Sequence, residues 1–161
     1  MTKIAIFADV QNIYYTTRQA YGRSFNYRQF WHNTQQQGDI VSAYAYAIHR
    51  NNFAGNDKQL QFQNTLKGIG FTVKLKPYIQ RSDGSAKGDW DVGIAIDVLE
   101  VAKDVDKVIL LSGDGDFDLL LEKIKKTYFT QAEVYGVPSL TAKTLIDSAS
   151  AFHPIVESML I

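Results

Sequence analysis

Short β-rich runs alternate with longer segments of helical periodicity along this chain, and that alternation constrains the fold more than any other feature. A strand followed by a helix and another strand folds most readily as a parallel sheet with helices on its faces. The runs are Lys3 to Ala8, Ile40 to Ile48, Phe71 to Lys76, Lys107 to Leu111 and Ala132 to Tyr135, with a short last one near Phe152. Val108-Ile109-Leu110-Leu111 is uninterrupted apolar sequence and reads as a central strand buried on both faces. Ile40 to Ile48 instead alternates Tyr44 and Tyr46 with Ala43, Ala45 and Ala47, which places it nearer an edge or against a looser face. Between strands three and four, Asp91 to Ala102 has helical spacing. Val92, Ala95, Ile96 and Leu99 lie on one stripe with Ile94, Val98 and Val101 beside it, so deep burial is expected. Pro77 to Gly88 reads as a long irregular, mobile surface loop from its Gly, Ser and Asp content.

The chain has 161 residues, enough for one compact domain. With 17 basic and 17 acidic side chains it has no net charge, so a nucleic-acid site would have to come from local charge arrangement. It has no cysteine, which removes thiolate zinc sites, disulfides and cysteine nucleophiles. Nothing reads as a signal peptide or a membrane span, and a cytoplasmic location without membrane association is expected.

Chemistry is sought first at the carboxyl ends of the strands, where ligands of open α/β sheets bind. Those ends are acidic here. Asp9 follows strand one, and Asp114 and Asp116 follow strand four within Ser112-Gly113-Asp114-Gly115-Asp116-Phe117-Asp118. A third contribution comes from Lys87-Gly88-Asp89-Trp90-Asp91, where the loop ends and a helix begins. Any one of these aspartates alone reads more simply as a helix cap. Several on one rim repel one another and are kept ionised by a hard cation or by backbone donors. Oxygen ligands without cysteine point to Mg²⁺ or Mn²⁺, which acidifies water and neutralises charge during phosphodiester hydrolysis. The glycines around Asp114 allow a tight turn with backbone N–H groups facing an anion, and Ser112 and Asn12 are suited to holding a ligand, a water or a phosphate oxygen. The Gly-Lys-Ser/Thr ending of a Walker loop is absent.

In this order, the motifs resemble the NYN domain family of PIN-like nucleases over nearly the whole chain. The opening strand ending in Asp-x-x-Asn is similar to Asp9 to Asn12. Lys-Gly-x-Asp, followed by a helix with a second aspartate, is similar to Lys87, Gly88, Asp91 and Asp97. Ser-Gly-Asp-Gly-Asp-Phe matches Ser112 to Phe117. The resemblance implies a single Rossmann-like PIN-type domain over residues 1–161, and a ribonuclease dependent on Mg²⁺ or Mn²⁺. It implies Asp9, Asp91, Asp114 and Asp116 as metal-site carboxylates, with Asn12 beside them as a catalytic or substrate-binding group. Two residues, Asp89 and Trp90, stand between Gly88 and Asp91 where the family has one, so Asp89 remains an alternative ligand. Asp91 is preferred because it keeps the six-residue spacing to Asp97. That spacing puts the two side chains about 120° apart on a helix, which leaves Asp97 a supporting role, as for Asp118 beyond Asp116.

Lys87, with Lys74, Lys76 and Arg81, is positioned for RNA phosphates, and Lys87 leads because the family pattern includes it. Tyr14 and Tyr15 suit base stacking, although core packing is expected of at least one. His32, His49 and His153 show no metal-ligand spacing. A catalytically weak RNA-binding or regulatory module of the same fold is the alternative function. A phosphatase with Asp9 as nucleophile is disfavoured by Gln11, where a second aspartate is needed. The identity of the RNA, discrimination against DNA and homo-oligomer formation are open at this level.

Overall fold

A computed structural model describes residues 1–49, 56–77, 79–80, 86–87 and 89–161. Six strands form one parallel sheet: β1 (Lys3–Asp9), β2 (Asp39–His49), β3 (Thr72–Pro77), β6 (Lys107–Leu111), β7 (Gln131–Gly136) and β8 (Ala151–Pro154). Their spatial order is β3-β2-β1-β6-β7-β8, and each neighbouring pair is parallel. These are the six runs expected from the sequence, several extended by a residue at one or both ends, with β3 shifted by one residue from the expected Phe71 to Lys76. The helices are α1 (Val10–Tyr21), α2 (Tyr27–Gln35), α3 (Asn56–Ile69), α4 (Asp91–Ala102), α5 (Asp118–Tyr128) and α6 (Lys143–Ser148).

Side chains of the two central strands alternate between two cores, as the two-residue period of a strand dictates. Ile4, Ile6, Ala8, Ile109 and Leu111 pack with Ile13 of α1, Phe30 of α2 and Leu66 of α3. Ala5, Phe7, Val108 and Leu110 pack on the other face with Ile94 and Val98 of α4, Leu121 and Ile124 of α5 and Leu145 of α6. Burial of β1 and β6 on both faces explains why their sequences do not alternate. β2 lies one place in from the edge. Its alanines face the aromatic side chains of Phe25, Tyr27 and Phe30, which fill the space that small residues leave. Its tyrosines point to the α4 side, where Tyr46 is buried and Tyr44 half-buried.

Two details depart from the sequence-based expectation. The segment from Pro77 to Gly88 contains a two-residue antiparallel pair, β4 (Ile79–Gln80) with β5 (Ala86–Lys87), so it is not wholly irregular. Arg81 and the Lys87 side chain lie outside the described residues, as does the His49 side chain. The helix α4 has the expected limits but a different inward face: Ile94, Val98 and Ala102 are buried, whereas Val92 and Ile96 are 72% and 56% exposed. A helix apolar nearly all round does not define its face by periodicity, and local contacts set the rotation instead. The Trp90 Nε1 donates to the Ala47 carbonyl at 2.9 Å, fixing the helix start. Gly93 lies under the same indole, where a Cβ would come within 2.7 Å of ring carbon.

This rotation predicts unequal costs for one chemical change. Ile94→Ala empties a fully buried site and should destabilise by about 2–5 kcal/mol, whereas Ile96→Ala should cost less than about 1 kcal/mol. Urea denaturation of the two variants checks the ranking, and the reverse order would mean that α4 is turned the other way.

Candidate functional site

From β1 the chain builds the sheet outward through β2 to β3, then crosses back to lay β6 on the other side of β1. The connections leaving the carboxyl ends of β1 and β6 therefore diverge, and a crevice opens between them. Asp9 ends β1 and Ser112 follows β6, so the fold delivers both motifs to this crevice.

Hydrogen bonds tie the two turns together. Asp9 is buried; its Oδ1 accepts from the Asn12 N–H at 3.4 Å, capping α1, and its Oδ2 accepts from Ser112 Oγ at 3.1 Å. The same Ser112 Oγ accepts from the Asp114 N–H at 3.2 Å. Asn12 Oδ1 accepts from the Gly113 N–H at 2.9 Å, and Asp114 Oδ1 accepts from the Asp116 N–H at 2.9 Å. The N–H groups of Gly113, Asp114 and Asp116 are thus already bonded within the chain, which corrects the expectation that they face an anion. Gly113 is needed for a different reason: a Cβ there would sit 2.7 Å from the Leu140 carbonyl oxygen.

Asp91, Asp114 and Asp116 each place a carboxylate oxygen within 4.8 Å of the other two, a grouping from the start of α4 and the turn after β6. Asp9 is outside that trio but within electrostatic reach of it. Burial pushes the Asp9 carboxyl up to about 6, against the pull of the Ser112 and Asn12 hydrogen bonds, and the charges of Asp114 and Asp89 add to the rise. Asp91 is pushed up to about 7, first by burial, then by a hydrogen bond and charge repulsion from Asp114, with smaller repulsion from Asp89 and Asp9. Without a counter-charge, the group holds a proton near neutral pH. Three hard oxygen donors at this separation fit a small divalent cation, which would displace that proton.

The other candidates are placed as follows. Asp89 is exposed and its Oδ1 accepts from the Asp91 N–H at 3.2 Å, so it caps the backbone in front of Asp91. Asp91 itself is the first residue of α4 rather than its cap. Asp118 accepts from the Leu119 N–H and is not in the trio. Asp97 pairs with Lys74 Nζ at 2.7 Å and accepts from the Tyr46 hydroxyl at 2.8 Å, which holds α4 to the sheet away from the trio. Lys76 Nζ donates to the Asp89 carbonyl and lies 4.7 Å from the Trp90 ring centroid. Lys74 thus braces the middle of α4 and Lys76 its start. Tyr14 and Tyr15 are 48% and 50% exposed, against the expectation of core packing for one of them. His32 bonds Gln36, and His153 bonds Glu133, both ordinary roles. Sequence reasoning missed Trp90 as the residue that aims Asp91; its only signal was an aromatic between two aspartates at a helix start.

No helix among the described residues is long and apolar enough to cross a membrane. Because the Asp9 and Asp91 carboxyls sit above the ordinary value of 3.8, their contribution to the metal-free fold is complete below that value and is lost as pH rises through about 6 and 7. In EDTA, the melting temperature of the protein should therefore fall between about pH 4 and about pH 7, and a protein carrying Asp9→Asn with Asp91→Asn should show a shallower fall. An unchanged slope in that double variant would contradict the placement of these two groups.

Comparison with known proteins adds three findings. The model of the NYN domain matches residues 3–157. The low amplitude and bright protein LabA of Synechococcus elongatus is 28% identical over 146 residues, covering 84% of this chain and 76% of LabA. A Vibrio parahaemolyticus protein of unknown function, known from its crystal structure, is 57% identical and superposes with a TM-score of 0.91, covering 99% of this chain and 96% of that one.

Proposed function

Because the chain belongs to the NYN domain family, we propose that it is a metal-dependent ribonuclease acting in the cytoplasm. The observation that carries this reading is the carboxylate trio of Asp91, Asp114 and Asp116 beside buried Asp9, at the point where the sheet reverses its direction of growth. Mg²⁺ or Mn²⁺ bound there would acidify water and neutralise charge at phosphorus.

The chain's own groups divide the remaining work. Asp91, Asp114 and Asp116 would hold the cation, and the Asp9 carboxylate would complete the negative charge behind them. Ser112 and Asn12 keep the two turns in register, so Asp9 does not separate from Asp114 and Asp116 under their repulsion, while the Trp90 indole bond to Ala47 holds the start of α4 that carries Asp91. Hydrolysis forms a bond from a water oxygen to phosphorus and breaks the bond to the leaving ester oxygen. One carboxylate oxygen not engaged by the cation would accept the proton that water gives up, and the leaving oxygen would take a proton from solvent. No phosphorylated side chain is required, in accord with the absence of cysteine and of a second aspartate at position 11.

Incubation of labelled RNAs and single-stranded DNA with Mg²⁺, Mn²⁺ or EDTA tests this. RNA should be cut with either metal and left intact in EDTA, and Asp114→Asn should lower the rate by about a hundredfold or more while the fold is kept. Well-folded protein that cuts nothing with either metal would favour a binding module. Full activity in Asp114→Asn would refute the assigned chemistry.

A further inference from the structure

A cavity of about 550 Å³ lies between α1 and α3, on the opposite side of the sheet from α4 and its carboxylate. Its volume falls in the range of small-ligand sites, roughly 300–1,000 Å³. The wall includes Tyr14 and Arg18 of α1, Tyr27 of α2, and Gln59, Phe62 and Gln63 of α3. No carboxylate occurs among the described residues of the lining. An acidic peptide is not repelled by such a wall, but a strand carrying phosphates with flat apolar bases fits it more completely.

Two features bear on an occupant. The aromatic walls offer stacking surfaces, and the Arg18 guanidinium carbon lies 5.5 Å from the Tyr14 ring centroid, so the cation and the ring present one platform. The second feature is polar: Gln59 Oε1 is buried and has no hydrogen-bond partner among the described residues, while Gln63 is only 6% exposed. An unmet buried carbonyl oxygen is unfavourable, and a turn of the Gln59 side chain toward the cavity would bring it to a donor held there. Nucleobases carry such donors on their edges, beside acceptors that an amide N–H₂ can meet.

The cavity also connects to the acidic rim through the chain. Val10 and Gln11 in its wall directly follow Asp9. Ala47, also in the wall, accepts the Trp90 indole hydrogen bond immediately before Asp91. These connections put the start of the cavity wall next to the rim, where a bound strand would lie.

We infer that the cavity seats one unpaired nucleobase of the bound strand, stacked on the aromatic wall and read by the glutamine amides. The inference rests on the ribonuclease reading for the origin of the strand, but its test does not depend on cutting. Fluorescence anisotropy in EDTA, with short labelled oligomers of A, C and U, measures binding alone. One base should be preferred by about tenfold. Gln59→Leu, which keeps the side-chain shape, and Tyr14→Ala, at a half-exposed position, should each reduce that preference to about twofold or less. Equal binding of the three oligomers by the unaltered protein would overturn the inference, as would a preference that survives in both variants. So would a second copy of the chain covering Phe62, seen as a concentration-dependent mass that Phe62→Ser abolishes. Metal-dependent cutting without base preference would sink the base site alone; base preference without cutting would sink the nuclease reading alone.

Discussion

The site depends on the hydrogen bond from Ser112 Oγ to the buried Asp9 carboxylate, 3.1 Å across the junction of β1 and β6. Parallel strands cannot share a tight turn, so the two loops at the crevice have no covalent reason to stay in register. Ser112 supplies one by donating to Asp9 and accepting from the Asp114 N–H, and Asn12 repeats the device by accepting from Gly113. Two of these bonds join the end of β1 to the turn after β6, and the third fixes that turn internally. Asp114 and Asp116 are positioned by these inward contacts.

Electrostatics then works against the arrangement. Asp91 and Asp114 approach closely enough to share a proton, and burial deprives Asp9 of the water that would stabilise its charge. A packed fold meets such repulsion either by protonation or by a counter-ion. The described residues near the trio do not supply the counter-ion: Lys74 is committed to Asp97, and Lys76 to the Asp89 carbonyl and the Trp90 ring. Its free energy cost is borne by the two well-packed cores. A rigidly aimed acidic cluster that is destabilising without a counter-charge is what the proposed cation site requires.

Much of the fold was legible because its signals are local. The apolar runs of β1 and β6 require burial on both faces, and the acidic residues at their carboxyl ends mark the crevice in the sequence itself. The limits of α4 were legible as well, from the loop composition before Asp91. Its rotation was not, because Trp90, Ala47, Asp97 and Lys74 meet only in three dimensions and the helix is apolar on most sides. The backbone N–H groups after β6 were misread for a similar reason. Their partners, Asn12 and Ser112, belong to the local motifs, but only the parallel pairing of β1 with β6 brings Asn12 opposite Gly113. The cavity between α1 and α3 left no trace beyond Tyr14 and Tyr15, since Gln59 and Gln63 carry no motif.

The central claim is that Asp91, Asp114 and Asp116 form one cation site. Titration of the metal-free protein with Mn²⁺, followed by electron paramagnetic resonance of the free ion, addresses it directly and without a nucleic acid. The account predicts saturable binding that Asp91→Asn and Asp116→Asn each weaken by about tenfold or more, while Asp118→Asn, whose carboxylate accepts from the Leu119 N–H outside the trio, leaves it unchanged. Binding that is indifferent to Asp91 and Asp116, or that is lost with Asp118, would contradict it.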